Sequence, residues 1–158
     1  MKAAVFYGKE DLRIEDIEMP QVGSDDVLIK VKACGICGTD LHIFEGDEGA
    51  APTPPGTVLG HEFAGIVEAV GEGVHKYHIG DHVCVDPNQP CGYCRYCRSG
   101  QAHYCRNMKG IGTNVHGGLA QFCAVNKSQV YRFRDELEYT HAAMTEPLAC
   151  CLHGIDMC

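Results

Sequence analysis

The clearest alternation in the chain runs from Asp26 to Ala33, where Val27, Ile29, Val31 and Ala33 share one face and Leu28, Lys30 and Lys32 the other. That is the period of two expected of a strand. Lys2–Tyr7 and Leu12–Met19 read as two more, joined through Gly8-Lys9-Glu10-Asp11, with Pro20 ending the second. Val58–Gly71 is an apolar run broken by Gly60 and Gly65, where a bulge or a close backbone approach is expected. Gly80–Val85, Leu119–Val125 and Val130–Phe133 supply further strands. Many short strands with glycine at the corners predict a mainly β chain folded as a small, partly open β-barrel. After Thr140 the period becomes helical through Ala142, Ala143, Leu148, Leu152 and Ile155, with Pro147 confined to the first turn or kinking the helix. Two stretches fit neither period: Gly46–Gly56, with prolines at 52, 54 and 55, is expected to be an exposed, mobile loop, and 86–118 is irregular and rich in cysteine.

The stretch Cys34-Gly-Ile-Cys-Gly-Thr-Asp-Leu-His42 follows directly on the alternating strand. Thr39-Asp40 can cap a short helix from Leu41 toward Glu45, which Gly46 would end. Cys37 therefore falls where strand gives way to helix, a place from which side chains project off a fixed backbone. It reads as one wall of a metal site.

Composition narrows the chemistry. The 158 residues are 45% hydrophobic, enough for one domain, and carry 21 acidic against 13 basic residues for a formal charge of −8 with no basic cluster, which argues against a nucleic-acid partner. After Lys2 only six residues precede the next charge at Lys9, too few for a signal-peptide core, no apolar run reaches membrane-spanning length, and neither an export signal nor a membrane partner is expected. A cytoplasmic setting follows. There, eleven cysteines, an odd number, are better explained by metal binding and by small buried hydrophobes than by disulfides.

Cys91-Gly-Tyr-Cys94-Arg-Tyr-Cys97 followed by Cys105 is a C-x2-C-x2-C-x7-C run. Four thiolates can close a tetrahedron around zinc and leave no position for water, so this lobe, about 86–118, is expected to be structural. An iron–sulfur reading fits less well, because the ferredoxin run places its last cysteine after three residues and follows it with proline, whereas seven intervene here and Arg106 follows. A second, dispersed set comprises Cys37, His61 with Glu62, and Glu146 at the start of the last helix. Mixed thiolate, imidazole and carboxylate ligands that leave a position open are what a working zinc needs. Taken singly, His61 reads equally as a satisfied buried histidine and Cys37 as a core thiol or half of a Cys34-x2-Cys37 redox pair.

Taken in order, Cys37-Gly-Thr-Asp-Leu-His42, Gly60-His-Glu-Phe-Ala-Gly65-Ile-Val, Gly80-Asp-His-Val, the four-cysteine lobe and Glu146-Pro-Leu-Ala resemble a known family over essentially the whole chain. The chain is similar to the N-terminal, GroES-like part of the zinc-dependent medium-chain dehydrogenases, the alcohol dehydrogenase superfamily, in its sorbitol, butanediol and threonine branch. The resemblance implies that Cys37 and His61 ligate a catalytic zinc completed by Glu62 or Glu146 directly or through water, and that Thr39 and His42 form a proton relay. It implies a small alcohol or polyol as substrate, and two zincs, one catalytic and one structural. Chemistry supports the relay separately: an alcohol gives up hydride once its hydroxyl proton has left, and a hydroxyl followed by an imidazole can carry that proton to water. Helix capping by Thr39 and simple solvation of His42 are the plainer alternatives.

A nicotinamide cofactor calls for G-x-G-x-x-G between a strand and a helix. Gly71-Glu-Gly73 and Gly110-Ile-Gly112 both lack the last glycine. NAD or NADP is therefore expected only with a Rossmann domain absent from this chain, which reads as a fragment inactive on its own. The alternative is a stand-alone zinc-stabilised β-barrel serving binding or assembly. The sequence leaves open whether the full-length protein is a homo-oligomer, and which alcohol it takes.

Overall fold

The structure, a computed structural model, describes residues 1–47 and 52–158. Among the described residues there are ten strands: β1 (Lys2–Gly8), β2 (Asp11–Asp16), β3 (Asp26–Cys34), β4 (Thr57–Val58), β5 (Phe63–Val70), β6 (His82–Val85), β7 (Asn88–Gln89), β8 (Lys109–Gly110), β9 (Phe122–Asn126) and β10 (Val130–Arg132). Four helices accompany them: α1 (Gly38–Glu45), α2 (Arg95–Arg98), α3 (Tyr139–Ala143) and α4 (Thr145–Asp156). The expected loop from Gly46 to Gly56 includes residues 48–51, which lie outside the described residues.

The strands form a five-stranded sheet in the order β10-β6-β5-β3-β9, a three-stranded sheet β2-β1-β4 and a two-stranded ladder β7-β8. Residues 119–121 bridge the larger two: Leu119 accepts from the Ala4 N–H at 2.8 Å and Gln121 from the Val31 N–H at 3.0 Å. The arrangement is an open, mainly β fold. Val27, Ile29, Phe63, Val67, Val83, Val125 and Val130 fill its core, with Tyr77 among them.

Three expectations are corrected. Leu28, which alternation groups with Lys30 and Lys32 on one face of β3, is buried while both lysines are exposed, so the first half of that face is covered too. The second strand ends at Asp16, not Met19. The C-terminal helix is two helices broken at Met144: Ala142 and Ala143 of α3 pack with Ala64 and Cys84, whereas Leu148, Leu152 and Ile155 of α4 are exposed. Pro147 does lie in the first turn of α4, where a missing N–H costs nothing. Among the described residues no helix is long and apolar enough to cross a membrane.

Candidate metal centres

β3 and β5 are antiparallel, and their pairing closes with Cys34 opposite Phe63, after which the Gly35 N–H donates to the Glu62 carbonyl at 2.7 Å. Cys37 follows just beyond Gly35, and His61-Glu62 precedes Phe63, so residues distant in sequence arrive at one end of one strand pair. On a regular strand, His61 and Glu62 would point to opposite faces. Residues 59–62 instead leave the ladder, and Gly60 takes φ +90°, in the left-handed region open to glycine. The bend is held by the Gly118 N–H donating to the Gly60 carbonyl at 2.8 Å.

Donor atoms of Cys37, His61 and Glu62 consequently lie within 4.8 Å of one another. Tetrahedral zinc with bonds of about 2.0–2.3 Å keeps its donors roughly 3.3–3.8 Å apart, so small side-chain movements would close the set. His61 and Glu62 are buried at 7% and 8% exposure, and Cys37 is half-buried. A histidine, a carboxylate and a thiol sharing one buried end of a sheet have no cation among them, and a divalent metal would supply it.

Asp40 was expected only as a cap residue, and it does more. Cys37 is the N-cap of α1, and Asp40, at the third helical position, accepts the Cys37 N–H on Oδ2 at 2.8 Å. Its other oxygen stands 3.6 Å from His61 Nδ1. Among the described residues three buried side-chain polar atoms lack a hydrogen-bond partner, and two are this facing pair. A carboxylate behind a histidine fixes the ring and leaves Nε2 for a metal. The Cys37-x-x-Asp40 spacing, that of a capping box, was the available signal for it.

The relay candidates sit on α1. Thr39 Oγ1 is 3.7 Å from Cys37 Sγ, and His42, one turn further, is exposed with Nδ1 3.1 Å from Asp47 Oδ2. His42, Glu45 and Asp47 also group within metal-binding distance, but all three are exposed, and exposed carboxylate groups of this kind are common without a metal. Glu146 is not brought to Cys37: its Oε1 accepts from the Cys150 thiol at 3.1 Å, and it lines a separate cavity of about 420 Å³ with Cys84, Asp86, Tyr131 and His153. Cys34 is set apart by its chemistry. Burial, with the charges of Asp40 and Glu62, pushes its thiol up to about 12, so it stays protonated, a poor ligand and a poor redox partner for Cys37.

The second centre is the cysteine lobe. Cys91, Cys94, Cys97 and Cys105 meet with their sulfurs within 4.8 Å, at 3.9 Å for Cys91–Cys97 and 3.5 Å for Cys94–Cys97. Sulfurs at about 2.3 Å from a tetrahedral zinc would be roughly 3.8 Å apart, so these four fit with almost no adjustment. The β7-β8 ladder closes the base of the loop, and α2 carries Cys97. Backbone N–H groups of Cys97 and Arg106 bring the Cys94 thiol down to about 6, whereas desolvation and the Cys94 sulfur push Cys97 up to about 12. Four crowded sulfurs cannot all ionise unaided, and a metal cation removes that conflict. All eleven cysteines are free thiols, with Cys84 and Cys123 buried in strands and Cys150, Cys151 and Cys158 exposed.

Neither double-glycine segment makes a dinucleotide cradle: Gly71–Gly73 and Gly110–Gly112 both lead into turns and loops, not helices. Comparison with known proteins bears on the family. Residues 23–135 match the alcohol dehydrogenase GroES-like domain. The chain is 41% identical over 155 residues to an L-threonine 3-dehydrogenase of Rhizobium etli, covering 97% of this chain and 45% of that protein. It is 42% identical over 149 residues to a D-arabitol-phosphate dehydrogenase of Enterococcus avium, covering 94% and 42%. A Sinorhizobium meliloti protein described as a zinc-binding dehydrogenase, solved with NADP bound, superposes with a TM-score of 0.93 at 40% identity over 99% of this chain and 45% of its own. The chain thus spans under half the length of these relatives. With the fold, the lobe and the dispersed ligand set all in place, it belongs to the alcohol dehydrogenase GroES-like domain family.

Proposed function

We propose that this chain is the metal-holding part of a zinc- and NAD(P)-dependent dehydrogenase acting on a small alcohol or polyol. The observation that carries the reading is the convergence of Cys37, His61 and Glu62 within 4.8 Å. A barrel stabilised only for binding or assembly would need the lobe and not this second set. When bound there, zinc supplies a Lewis acid that favours the ionised form of a coordinated hydroxyl.

The chain's own groups do the rest. Cys37, His61 and Glu62 would hold the ion, and Asp40 stands behind His61 to orient it. Thr39 Oγ1, beside the Cys37 sulfur, takes the hydroxyl proton and passes it along α1 to His42, whose exposed ring releases it to water. The two residues are spaced i, i+3 and share a helix face. The groups at the site suit a cation: Asp40 and Glu62 are buried beside His61, and from Ala33 to His75 the sequence has no lysine or arginine. A phosphorylated substrate would have to find its counter-charge elsewhere in the protein.

The lobe fixes fold rather than chemistry, with its four thiolates filling every tetrahedral position. The nicotinamide and its pyrophosphate would be held by residues beyond these 158, so the chain alone binds metal and oxidises nothing. A cytoplasmic setting suits eleven reduced thiols. The test is NAD(P)-dependent oxidation of L-threonine, butane-2,3-diol and simple polyols by the zinc-replete full-length protein. Turnover that disappears in Cys37→Ser supports the reading, and no turnover of any alcohol, or turnover indifferent to that substitution, contradicts it.

A further inference from the structure

Gly35 lies between β3 and α1, two residues before Cys37, and its N–H is already committed to the Glu62 carbonyl at 2.7 Å. A Cβ built on Gly35 would stand 2.4 Å from Glu62 Oε2, 3.2 Å from Glu62 Cβ and 3.5 Å from Glu62 Cδ. All three nearest atoms belong to one side chain, and the worst contact is its far end. Gly35 is not among the glycines with positive φ, so its backbone would accept alanine. The glycine is therefore there for space.

The way such a clash resolves can be read from what it meets. A methyl at Gly60 would collide with the Leu119 backbone nitrogen and the Cys34 sulfur, both at 2.8 Å, on a backbone at φ +90°, and the fold itself would have to give. A methyl at Gly35 meets chiefly the far end of a flexible carboxylate, at 2.4 Å, which gives way by rotating about its own bonds, while the 3.2 Å contact with Glu62 Cβ asks for a shift of only a few tenths of an ångström. That rotation carries Glu62 out of the group it forms with Cys37 and His61.

We propose that Gly35 is a positioning residue that holds open the space through which the Glu62 carboxylate reaches the metal. It thereby sets whether the centre has three protein ligands or two. The inference rests on the reading of Cys37, His61 and Glu62 as a metal site, and it adds the residue that makes the third ligand possible.

The experiment loads the 158-residue chain with cobalt(II) in place of zinc and compares wild type, Gly35→Ala, Glu62→Gln and the double variant. Affinity of the second, weaker site and its visible d–d spectrum are measured, with far-UV circular dichroism and melting of the metal-free chain as folding controls. Gly35→Ala should weaken that site by about 10- to 100-fold, the range for removing a supporting interaction at a metal site. Its spectrum should match that of Glu62→Gln, and the double variant should be no weaker than either single one, since both remove the same contact. The fold and the lobe metal should be unchanged. A Gly35→Ala chain with wild-type affinity and spectrum, losses that multiply in the double variant, or a variant that fails to fold would each overturn the proposal. A wild-type chain that takes up metal only in the lobe would instead overturn the site reading, and Gly35's role with it.

Discussion

The two centres are built in opposite ways. In the lobe, all four thiols come from one segment, Cys91 to Cys105, and none is buried among the core residues. In the dispersed centre the candidate donors come from two strand ends, His61 and Glu62 are buried, and the positions are set by the β3–β5 pairing, the Gly60 bend and Asp40. A short loop with little apolar surface cannot hold four sulfurs together without an ion, whereas a packed sheet can hold three donors together before any ion arrives. On the reading proposed above, in the lobe the metal makes the structure, whereas at Cys37 the structure makes the site.

The largest effect expected from that contrast is on stability. Cys97→Ser should release the lobe metal and unfold the segment from Cys91 to Cys105, because zinc contributes apparent free energies of about 10–16 kcal/mol in sites that fold around it. Amide exchange across the lobe and zinc analysis would show this. Cys37→Ser should also lose one metal, yet leave the melting of the sheet nearly unchanged. Equal melting losses from the two substitutions would break the comparison.

Asp40 sharpens it further. Asp40→Ala removes the acceptor of the Cys37 N–H and the carboxylate behind His61, so metal affinity at that centre should fall by about 10- to 100-fold. Stability should fall by about 1 kcal/mol, the low end of the cost of an unmet donor, because the Cys37 N–H is only partly buried. Zinc in the lobe should be unaffected, which titration with separate chromophoric chelators can resolve.

The thiols offer a third contrast. In the metal-free chain at pH 7, the lobe cysteines, no longer held together, should alkylate readily, and Cys34, its thiol pushed up to about 12 by burial, should resist while the sheet persists. Mass spectrometry of iodoacetamide-treated chain would rank them. For Cys34 the folded value lies above the usual 9.0, so its stabilising contribution is complete below pH 9 and is lost as the pH rises toward 12. Denaturant melts should weaken over that alkaline window, and less so in Cys34→Ala.

The smallest effect concerns Glu146. Its carboxylate is engaged with Cys150, away from Cys37 and His61. Glu146→Gln should therefore reduce metal affinity in this chain less than Glu62→Gln, and the reverse order would mean that α4 folds across to bring Glu146 to the ion.

What could be read from the sequence followed the range of the interactions involved. The lobe's ligands are neighbours, so their spacing alone groups them. The strand-to-helix junction at Cys37 was legible because alternation stops at Cys34 and Gly46 ends the helix after it. The cap was misplaced because Thr39, Asp40 and Cys37 are all competent near a helix start, and the choice depends on Asp40 reaching back to the Cys37 N–H. The burial of Leu28 was not legible, because cover on a strand's second face is set by what packs over it, which alternation does not record. The exposed apolar residues of α4 show the same limit, since a helical period records a face and not its partner. Least visible was Gly35: only the long-range pairing that sets it against Glu62 gives a missing side chain a role.

The central claim, that one short chain carries one metal centre that builds the fold and another that the fold builds, is tested most directly by counting zinc. The purified chain, reconstituted with excess zinc and desalted, should hold two equivalents, falling to one in Cys37→Ser while the lobe's exchange protection persists. A wild-type chain that holds a single zinc, all of it lost with Cys97→Ser, would contradict the account.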